Sequence, residues 1–553
     1  MAFLKGNRAS ISVAIFLASL LLFVPFLGSS HLFDWDEVNF AEAAREMLVT
    51  GEFSYVQINF KPFWEKPPLF IWMQALSMSI FGVNEFAARL PNAICGAVTL
   101  VVLFNIGSNL LSVRFGLLWV LVYVGSLLPQ FYFRSGIIDP WFNLFIFLGI
   151  HHLIIATKDE ILDKKRLSIS ALLIGLAVMT KGPTAAGLVG ISSGIYFIMS
   201  FKNHKWKISD AIIYAATVLA VGFSWFLIEI ARGHGYVIQE AIDYHIRLFS
   251  ESEAGHGQPF YYHPIVLLIG CFPMSLFLIF SWTRKSESNS EIAHYKKWMT
   301  ILFWVVLIVF SIVKTKIVHY SSLTYFPMSF LVAWFLHTAI HKQIALKLWH
   351  QIVLGLFVIL LGTAFLLLGI LDTIKEPLLE LLQNDGLALG NFSQEIPDGK
   401  FDSLIGILFL IGGLTTIFFI NKTKNGILGI FGLSLITVTL LSAVIVPKID
   451  RYLQEPLFKF YKENSEIAYL QPLAFHSYAH LFYGKKTPVP IQTDDEPKWM
   501  VFNQVDKPVY FIVKPRDLES TLGYFPHLRE MDRKGGYVIL ERTDENYPFL
   551  DVP

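Results

Sequence analysis

The feature that most constrains the fold of this chain is a series of apolar runs, each close to the length needed to cross a bilayer. An α-helix needs about 20 predominantly apolar residues to span the hydrocarbon core. Thirteen such segments follow one another: 10–29, 90–109, 114–131, 141–157, 167–180, 184–201, 210–230, 264–281, 298–313, 321–338, 349–371, 403–420 and 425–445. The sequence therefore predicts a polytopic α-helical membrane protein with about thirteen transmembrane helices.

Composition supports the same fold class. Hydrophobic residues make up 54% of the 553 residues and charged residues 16%, whereas soluble domains carry about 25% charged residues. The net charge of +1 gives no indication of a nucleic-acid partner. Cys95 and Cys271 both lie in or beside apolar runs, and two thiols are too few for a disulfide framework or a metal–thiolate site.

The distribution of Lys and Arg predicts the orientation of these segments. The apolar stretch 69–81 is too short to cross about 30 Å of hydrocarbon and is predicted to lie at the outer interface. The cytoplasmic connections then total 61 residues with 18 Lys or Arg, and the short outer ones about 140 residues with about 12. Because cytoplasmic loops are rich in these residues, we expect a cytoplasmic N-terminus, with 10–29 retained as a helix rather than cleaved as a signal peptide.

This topology divides the chain into two parts. Residues 1–445 form the transmembrane module, in which the first outer loop is 30–89. After this module the composition changes, and short alternating apolar runs such as 508–513 and 537–540 are typical of strands. We expect residues 446–553 to form a small extracytoplasmic α/β domain.

The first outer loop carries more ionisable side chains than a connection between two spans needs. Asp36 and Glu37 begin a predicted interfacial helix, where carboxylates also interact favourably with the helix dipole. A carboxylate that faces a cavity would instead act as a general base or orient an acceptor. Glu65 and Lys66 follow, and Lys66 either reaches the lipid headgroups or binds the phosphate of a lipid-linked substrate.

Three further outer segments carry candidate residues. Asp139, in a link that also contains Arg134, precedes a span and is either an N-cap or a cavity carboxylate. Lys181 lies in a Lys-Gly-Pro turn, and Lys316 and Tyr320 lie in another basic turn. At Lys181, positive charge outside runs against the general trend, which favours a functional role modestly over a plain turn. At Lys316 the basic side chains either hold a phosphate or contact anionic headgroups.

The second outer loop, 231–263, combines histidines and an arginine with many aromatic residues. An interfacial belt explains the aromatic residues, but Arg247 and His256 exceed what a belt requires. His256 and Glu65 together would supply two ligands of a divalent-metal site for zinc, magnesium or manganese, although their spacing is not a zinc signature. There is no Gly-rich phosphate loop, so no nucleotide cofactor is expected.

These outer motifs form an ordered set between about residues 10 and 340. The set consists of Asp36-Glu37, Glu65-Lys66-Pro67-Pro68, the segment Glu85–Pro91, Lys181-Gly182-Pro183 and the segment His256–Tyr262. As a set they resemble the motifs of the aminoarabinose–lipid A transferases and the related protein O-mannosyltransferases, which are glycosyltransferases of the GT-C fold. The layout of that family, about thirteen spans and an outer C-terminal domain, agrees with the topology predicted from the charges.

The resemblance implies a role for each matching residue. Asp36 would be the essential first-loop carboxylate, with Glu37 beside it, and Asp139 would match a cavity carboxylate. Substrate or the carrier phosphate would be bound by Lys66, Arg89, Lys181, Arg247, Lys316 and Tyr320. Glu65 and His256 would hold a metal.

The chain departs from the family pattern in two places. Asn39 stands where the aminoarabinose transferases usually have arginine in Asp-Glu-x-Arg-Tyr, which weakens the case for lipid A phosphate as the acceptor. The segment that begins at Lys316 also differs from the usual Lys-Leu-x-x-Tyr-x-Leu-Pro form, because it contains His319 and Ser321.

The predicted function is transfer of a sugar from a polyprenyl-phosphate carrier to an extracytoplasmic acceptor in a bacterial inner membrane. The acceptor would be lipid A, another envelope glycolipid or a glycan, and membrane lipids would surround the enzyme. The alternatives are a protein O-mannosyltransferase-like enzyme and a lipid or solute transporter. A transporter would carry ionisable residues inside its spans, whereas most of the predicted spans lack charge.

Overall fold

Helices dominate the computed structural model, as the apolar runs predict. The structure describes residues 7–159, 161–200, 207–250, 257–282, 290–423, 426–488, 496–503 and 505–543. Before residue 446 the α-helices are α1 (Arg8–Phe23), α2 (Asp36–Thr50), α3 (Leu69–Phe81), α4 (Glu85–Leu110), α5 (Val113–Val124), α6 (Leu127–Phe131), α7 (Asp139–Ala156), α8 (Lys164–Lys181), α9 (Thr184–Ser200), α10 (Ile208–Gly222), α11 (Ser224–Ala231), α12 (Val237–Ser250), α13 (Tyr262–Gly270), α14 (Met274–Trp282), α15 (Ser290–Ile312), α16 (Tyr325–His341), α17 (Leu348–Gly369), α18 (Lys375–Leu381), α19 (Gly386–Phe392), α20 (Asp402–Phe419) and α21 (Gly429–Leu440).

The helices lie where the apolar segments predicted them, and their lengths distinguish helices that could span a membrane from shorter ones. Within the described residues, seven helical segments are long and apolar enough to cross a membrane. Three bent pairs, α5 with α6, α10 with α11 and α13 with α14, raise that number to ten if each pair is one span. The helix at 69–81 is confirmed as a short apolar helix of 13 residues.

The helix faces that point away from the rest of the protein carry the apolar surface that a bilayer would cover. Leu21 is 78% exposed and Ile198 79% exposed, whereas the largest aromatic residues, among them Trp119 and Trp298, are fully buried between helices. Exposed apolar surface on this scale is rare in soluble monomers. The protein is therefore a helical membrane protein.

In the part of the chain that the structure describes, strands form two sheets. A short hairpin in the first outer loop pairs β1 (Gln57–Ile58) with β2 (Lys61–Pro62). The C-terminal part contains a four-stranded sheet of order β3-β4-β6-β5, in which only β3 and β4 are parallel. Its elements are α22 (Val446–Leu453), α23 (Glu455–Asn464), β3 (Tyr469–Pro472), α24 (Ala479–Tyr483), α25 (Glu496–Phe502), β4 (Val509–Val513), α26 (Leu518–Tyr524), β5 (Leu528–Lys534) and β6 (Tyr537–Arg542). β4 and β6 lie where the alternating runs predicted strands.

The C-terminal sheet shares a hydrophobic core with the first outer loop. Ile512 and Ile539 belong to the same buried cluster as Met47 and Trp64. The backbone N–H of Leu32 donates to the hydroxyl of Tyr483 at 2.7 Å. The C-terminal residues therefore pack directly on the segment that carries Asp36 and Lys66, which places them beside the candidate site.

A buried ion pair joins the beginning of α2 to the beginning of α4. Arg89 donates from Nε to Oε1 of Glu37 at 2.9 Å and from Nη2 to Oε2 at 2.7 Å. Its Nη1 and Nη2 also donate to the carbonyls of Leu27, Ser30 and His31. Both side chains are at most 5% exposed. This geometry gives Glu37 and Arg89 a structural role, unlike the catalytic and phosphate-binding roles predicted for them, because their polar atoms are already paired with protein.

We expect Arg89→Met to destabilise the fold strongly, because it would leave the Glu37 carboxylate buried without its cation. Breaking a buried ion pair by removing one partner costs about 3–5 kcal/mol. The measurement is the midpoint of thermal unfolding of the purified protein in detergent.

The matched control is Arg232→Met, since Arg232 pairs with Glu52 at 2.9 Å on the exposed surface. An exposed pair contributes at most about 1 kcal/mol, so the unfolding midpoint should change little. Equal effects of the two substitutions would contradict the structural role of Arg89.

Candidate active site

Asp36 is the first residue of α2 and follows a strained turn. Trp35, directly before it, has a φ of 95°, a conformation that a bulky residue rarely adopts. Such outliers concentrate at functional sites. The Trp35 ring also packs edge-on against His476, with ring centroids 5.5 Å apart. The turn therefore fixes the direction in which the Asp36 carboxylate leaves the backbone.

Lys66 is held in place by the hairpin that precedes it. Asn59 and Phe60 form the turn of the hairpin, and their backbone N–H groups donate to the buried carboxylate of Glu46 on α2, at 2.6 and 2.8 Å. At the far end of its side chain the Lys66 ammonium donates to the hydroxyl of Tyr244 on α12. Two outer segments, the first loop and α12, thus meet at this ammonium group.

Asp139, Lys181 and His319 form a second charged group. The Lys181 ammonium, at the end of α8, donates to Oδ1 of Asp139 at 2.6 Å. It also lies 4.8 Å from the centre of the Tyr320 ring. Nε2 of His319 lies 3.0 Å from Oδ2 of Asp36 and 3.6 Å from Oδ2 of Asp139. His319 therefore links the carboxylate of the first loop to the carboxylate at the beginning of α7.

Neighbouring charges decide the protonation of the site. Burial by itself raises the pKa of Asp36, but the hydrogen bond from His319 and the neighbouring positive charge, including that of Lys181 and Lys66, outweigh it, so that its pKa lies below the ordinary value. Burial lowers the pKa of Lys66, although Glu65, Asp36 and Asp139 oppose this effect. Asp36 is therefore a carboxylate at neutral pH, and an incoming anion would favour the charged form of Lys66.

These groups surround one cavity of about 100 Å³. Its charged lining comes from Asp36, Glu65, Lys66 and Lys181, and its walls are largely aromatic. The remaining lining residues are Trp35, Asn39, Phe40, Phe63, Ile138, Tyr244, Thr315, Ile317, Tyr320, His476 and Tyr478. The cavity therefore combines two ammonium groups with two carboxylates inside an apolar frame, an arrangement suited to an amphiphilic anion.

The predicted residues reach this cavity to different degrees. Asp36, Glu65, Lys66, Lys181 and Tyr320 line it. Asp139 lies directly behind Lys181 and is only 3% exposed.

Three other predicted residues do not reach the cavity as expected or cannot be placed. Lys316 is buried, and its ammonium donates to the carbonyl of Val313 at 2.5 Å. The structure therefore pairs Lys316 with the backbone, whereas the sequence predicted a contact with phosphate. Arg247 lies exposed on α12, three residues after Tyr244, and its phosphate role stays a prediction. His256 lies outside the described residues.

The described residues do not complete a metal site. Within them, no group of three or more His, Cys, Asp or Glu side chains converges as metal ligands would. Glu65 is one of the two predicted ligands, and its carboxylate lies 3.9 Å from the Lys66 ammonium, a cation that competes with a metal for that carboxylate. We therefore derive no chemistry through a metal.

The site also contains residues that the sequence alone did not assign. Tyr478 and His476 come from the turn after β3, more than 400 residues from Asp36. His319 and Tyr244 lie in segments that contain several other polar residues, so the sequence did not distinguish them from their neighbours. No periodicity or spacing marks these positions; only the unusual density of His and Tyr in the outer segments pointed toward them.

Sequence comparisons relate the chain to lipid-dependent glycosyltransferases. The family model described as dolichyl-phosphate-mannose-protein mannosyltransferase matches residues 65–228. The chain is 27% identical over 332 residues to an uncharacterized protein of Aquifex aeolicus, covering 58% of this chain and 73% of that protein. It is 26% identical over 342 residues to the undecaprenyl phosphate-alpha-4-amino-4-deoxy-L-arabinose arabinosyl transferase of Pectobacterium carotovorum, covering 60% of this chain. The match spans 59% of the length of that transferase.

The fold is that of a solved membrane protein. The structure of ArnT from Cupriavidus metallidurans in the apo state aligns with a TM-score of 0.74 at 15% identity, over 98% of this chain and all of that chain. The same protein bound to undecaprenyl phosphate aligns with a TM-score of 0.71 at 15% identity, over 97% of this chain and 99% of that chain. The chain therefore has the helical GT-C fold.

The cavity should bind the phosphate of a simple amphiphile. We expect dodecyl phosphate to bind the purified protein and both Lys66→Met and Lys181→Met to weaken binding by about tenfold or more, because each removes a charge-assisted hydrogen bond. The measurement is isothermal titration calorimetry.

The control is Lys459→Met, since Lys459 pairs with Glu455 at 2.7 Å and is largely exposed. It should bind dodecyl phosphate as the unchanged protein does. A uniform loss across all three variants, or no loss in either cavity variant, would argue against an anion site in the cavity.

Proposed function

We propose that this protein, a member of the GT-C superfamily that includes the aminoarabinose–lipid A transferases and the protein O-mannosyltransferases, is a glycosyltransferase. It transfers a sugar from a polyprenyl-phosphate carrier to an acceptor outside the cytoplasm. The observation that carries the proposal is the cavity in which Lys66 and Lys181 face Asp36. The names of the relatives, and of the solved structure bound to undecaprenyl phosphate, support the same donor class.

The two lysines fit the leaving group of such a reaction. When the bond between the anomeric carbon and the phosphate oxygen breaks, negative charge develops on the phosphate. The Lys66 ammonium is preorganised by Tyr244, and the Lys181 ammonium by Asp139. Charges fixed in advance stabilise the transition state without reorganisation at the moment of reaction.

The carboxylate of Asp36 lies where it can act on the acceptor, directly or through the side chain it contacts. In a single inverting displacement, an acceptor oxygen attacks the anomeric carbon as the phosphate departs with the bonding electron pair. If the acceptor is a hydroxyl group, its proton passes to a base at the site. If the acceptor is already an anion, Asp36 serves to orient it. In both cases the low pKa of Asp36 keeps it ionised at neutral pH.

The topology that suits this reaction has thirteen spans, a cytoplasmic N-terminus and an extracytoplasmic C-terminus, in a bacterial inner membrane. Support comes from the excess of Lys and Arg in the connections assigned to the cytoplasm. The short helix α3 then lies at the outer interface, and residues 446–553 form an extracytoplasmic part beside the cavity. A carrier presented on the outer leaflet would reach Lys66 without crossing the membrane again.

A protein O-mannosyltransferase-like reaction is the second candidate, favoured by the family model that matches residues 65–228. It uses the same kind of donor and differs in the acceptor, which would be a protein hydroxyl. Incubation with a radiolabelled carrier-linked sugar and an envelope extract separates the two, because label enters the lipid fraction in one case and the protein fraction in the other.

Asp36→Asn should reduce sugar transfer by about 10²–10⁴-fold if the carboxylate takes part in proton transfer. The substrate is undecaprenyl phosphate linked to 4-amino-4-deoxy-L-arabinose, supplied to the purified protein together with an envelope lipid extract. Release of undecaprenyl phosphate is measured by mass spectrometry, with separate determination of kcat and KM for the donor.

The matched control is Asp34→Asn, two residues earlier, whose carboxylate accepts the backbone N–H of Trp35 at 2.9 Å and does not line the cavity of the described residues. Unchanged turnover by Asp36→Asn would exclude a catalytic role for that carboxylate. Absence of any donor turnover by the unchanged protein would contradict the function for this donor.

A further inference from the structure

His319 lines a second cavity and contacts Asp36, which lines the first. Its Nε2 is the atom that approaches both carboxylates, at 3.0 Å from Asp36 and 3.6 Å from Asp139. Because carboxylate oxygens only accept, the N–H of the neutral ring must be on Nε2. Nδ1 then carries the free lone pair, and within the described part of the chain no residue hydrogen-bonds to it.

The second cavity, with a volume of about 310 Å³, has His319 in its lining. His319 lines it together with Arg134, while Asp36 lines the first cavity. Most of its wall is apolar, contributed by residues such as Phe26, Phe131 and Tyr325. The contact between Asp36 and His319 therefore links the cavity lined by Lys66 and Lys181 to a second space that an acceptor could enter.

We propose that His319 is the general base of the transfer reaction and that Asp36 holds it in place. Nδ1 of His319 takes the proton of an acceptor hydroxyl group that reaches the site from the second cavity. Asp36 and Asp139 bind the opposite edge of the ring, fix its tautomer and stabilise the imidazolium ion that forms, as the aspartate of a serine-protease triad does. The inference rests on the proposed function and names the group that accepts the proton.

Every bond, proton and electron pair in this step has a source and a destination among these groups and water. The acceptor oxygen forms a bond to the anomeric carbon, and its proton moves to Nδ1 of His319. The bond between the anomeric carbon and the phosphate oxygen breaks, and its electron pair stays on the phosphate, where Lys66 and Lys181 compensate the charge. The proton then leaves His319 for water, which restores the neutral ring.

Residue type favours this assignment over a base role for Asp36. A general base works best when its pKa is near the working pH, and histidine is the side chain whose unperturbed pKa lies there. Asp36 has a lowered pKa and is correspondingly a weak base. The charged and titratable groups around the ring are Asp36, Glu37, Arg89, Tyr132, Arg134, Asp139, Lys181, Tyr320 and Tyr325.

The decisive variant is His319→Gln in the full-length protein, assayed with the same donor and envelope lipid extract. Glutamine can still donate a hydrogen bond to Asp36 but cannot accept a proton at neutral pH. We expect kcat to fall by about 10²–10⁴-fold, with the KM for the donor within about twofold of the original value. His341→Gln, at the far end of α16, is the control and should leave kcat unchanged.

Chemical rescue provides the second readout, which a merely structural histidine would not give. In His319→Ala, free imidazole added to the assay should restore turnover in proportion to the concentration of its neutral form. The Asp36→Asn variant should not respond to imidazole. Wild-type turnover in His319→Gln, or a His319→Ala variant that imidazole does not activate, would overturn the assignment. The proposed function fails separately, by absence of donor turnover in the unchanged protein.

Discussion

The ion pair between Glu37 and Arg89 fixes the geometry on which the site depends. One guanidinium group binds the carboxylate next to Asp36 and three carbonyls of the segment that enters the first outer loop. The same carboxylate also accepts the backbone N–H of Gly136, three residues before Asp139. A single buried pair thus sets the relative position of both site carboxylates. Because an unpaired charge there would be very unfavourable, the two segments cannot separate easily.

Hydrogen bonding and ion pairing explain how so many ionisable groups can meet at one end of an apolar helical frame. Each cation of the site has an assigned partner: Lys66 has Tyr244, and Lys181 has Asp139. These hydrogen bonds hold both amino groups at one cavity before any substrate arrives. Preorganised charges in a poorly hydrated site act more strongly than the same charges in water, which is the property that departure of a phosphate requires.

The sequence could predict those site residues whose position follows from local pattern. Asp36, Lys66 and Lys181 each stand at the edge of an apolar segment, so that the count of positive charges places them on the same side of the membrane. Glu37 and Arg89 satisfied the same criteria, yet they pair with each other. Pattern alone cannot separate a buried structural pair from a catalytic one, because the difference is whether the polar atoms are already satisfied by protein.

The sequence by itself determined that this is a membrane protein, roughly where its helices lie and which segments carry the polar groups, since these properties follow from hydrophobic length and charge. Only the tertiary structure decided which polar groups share a cavity. His319 meets Asp36 across 283 residues of chain, and His476 reaches the same cavity from the C-terminal part. Contacts of this kind depend on the packing of helices and loops against one another, which no local periodicity encodes.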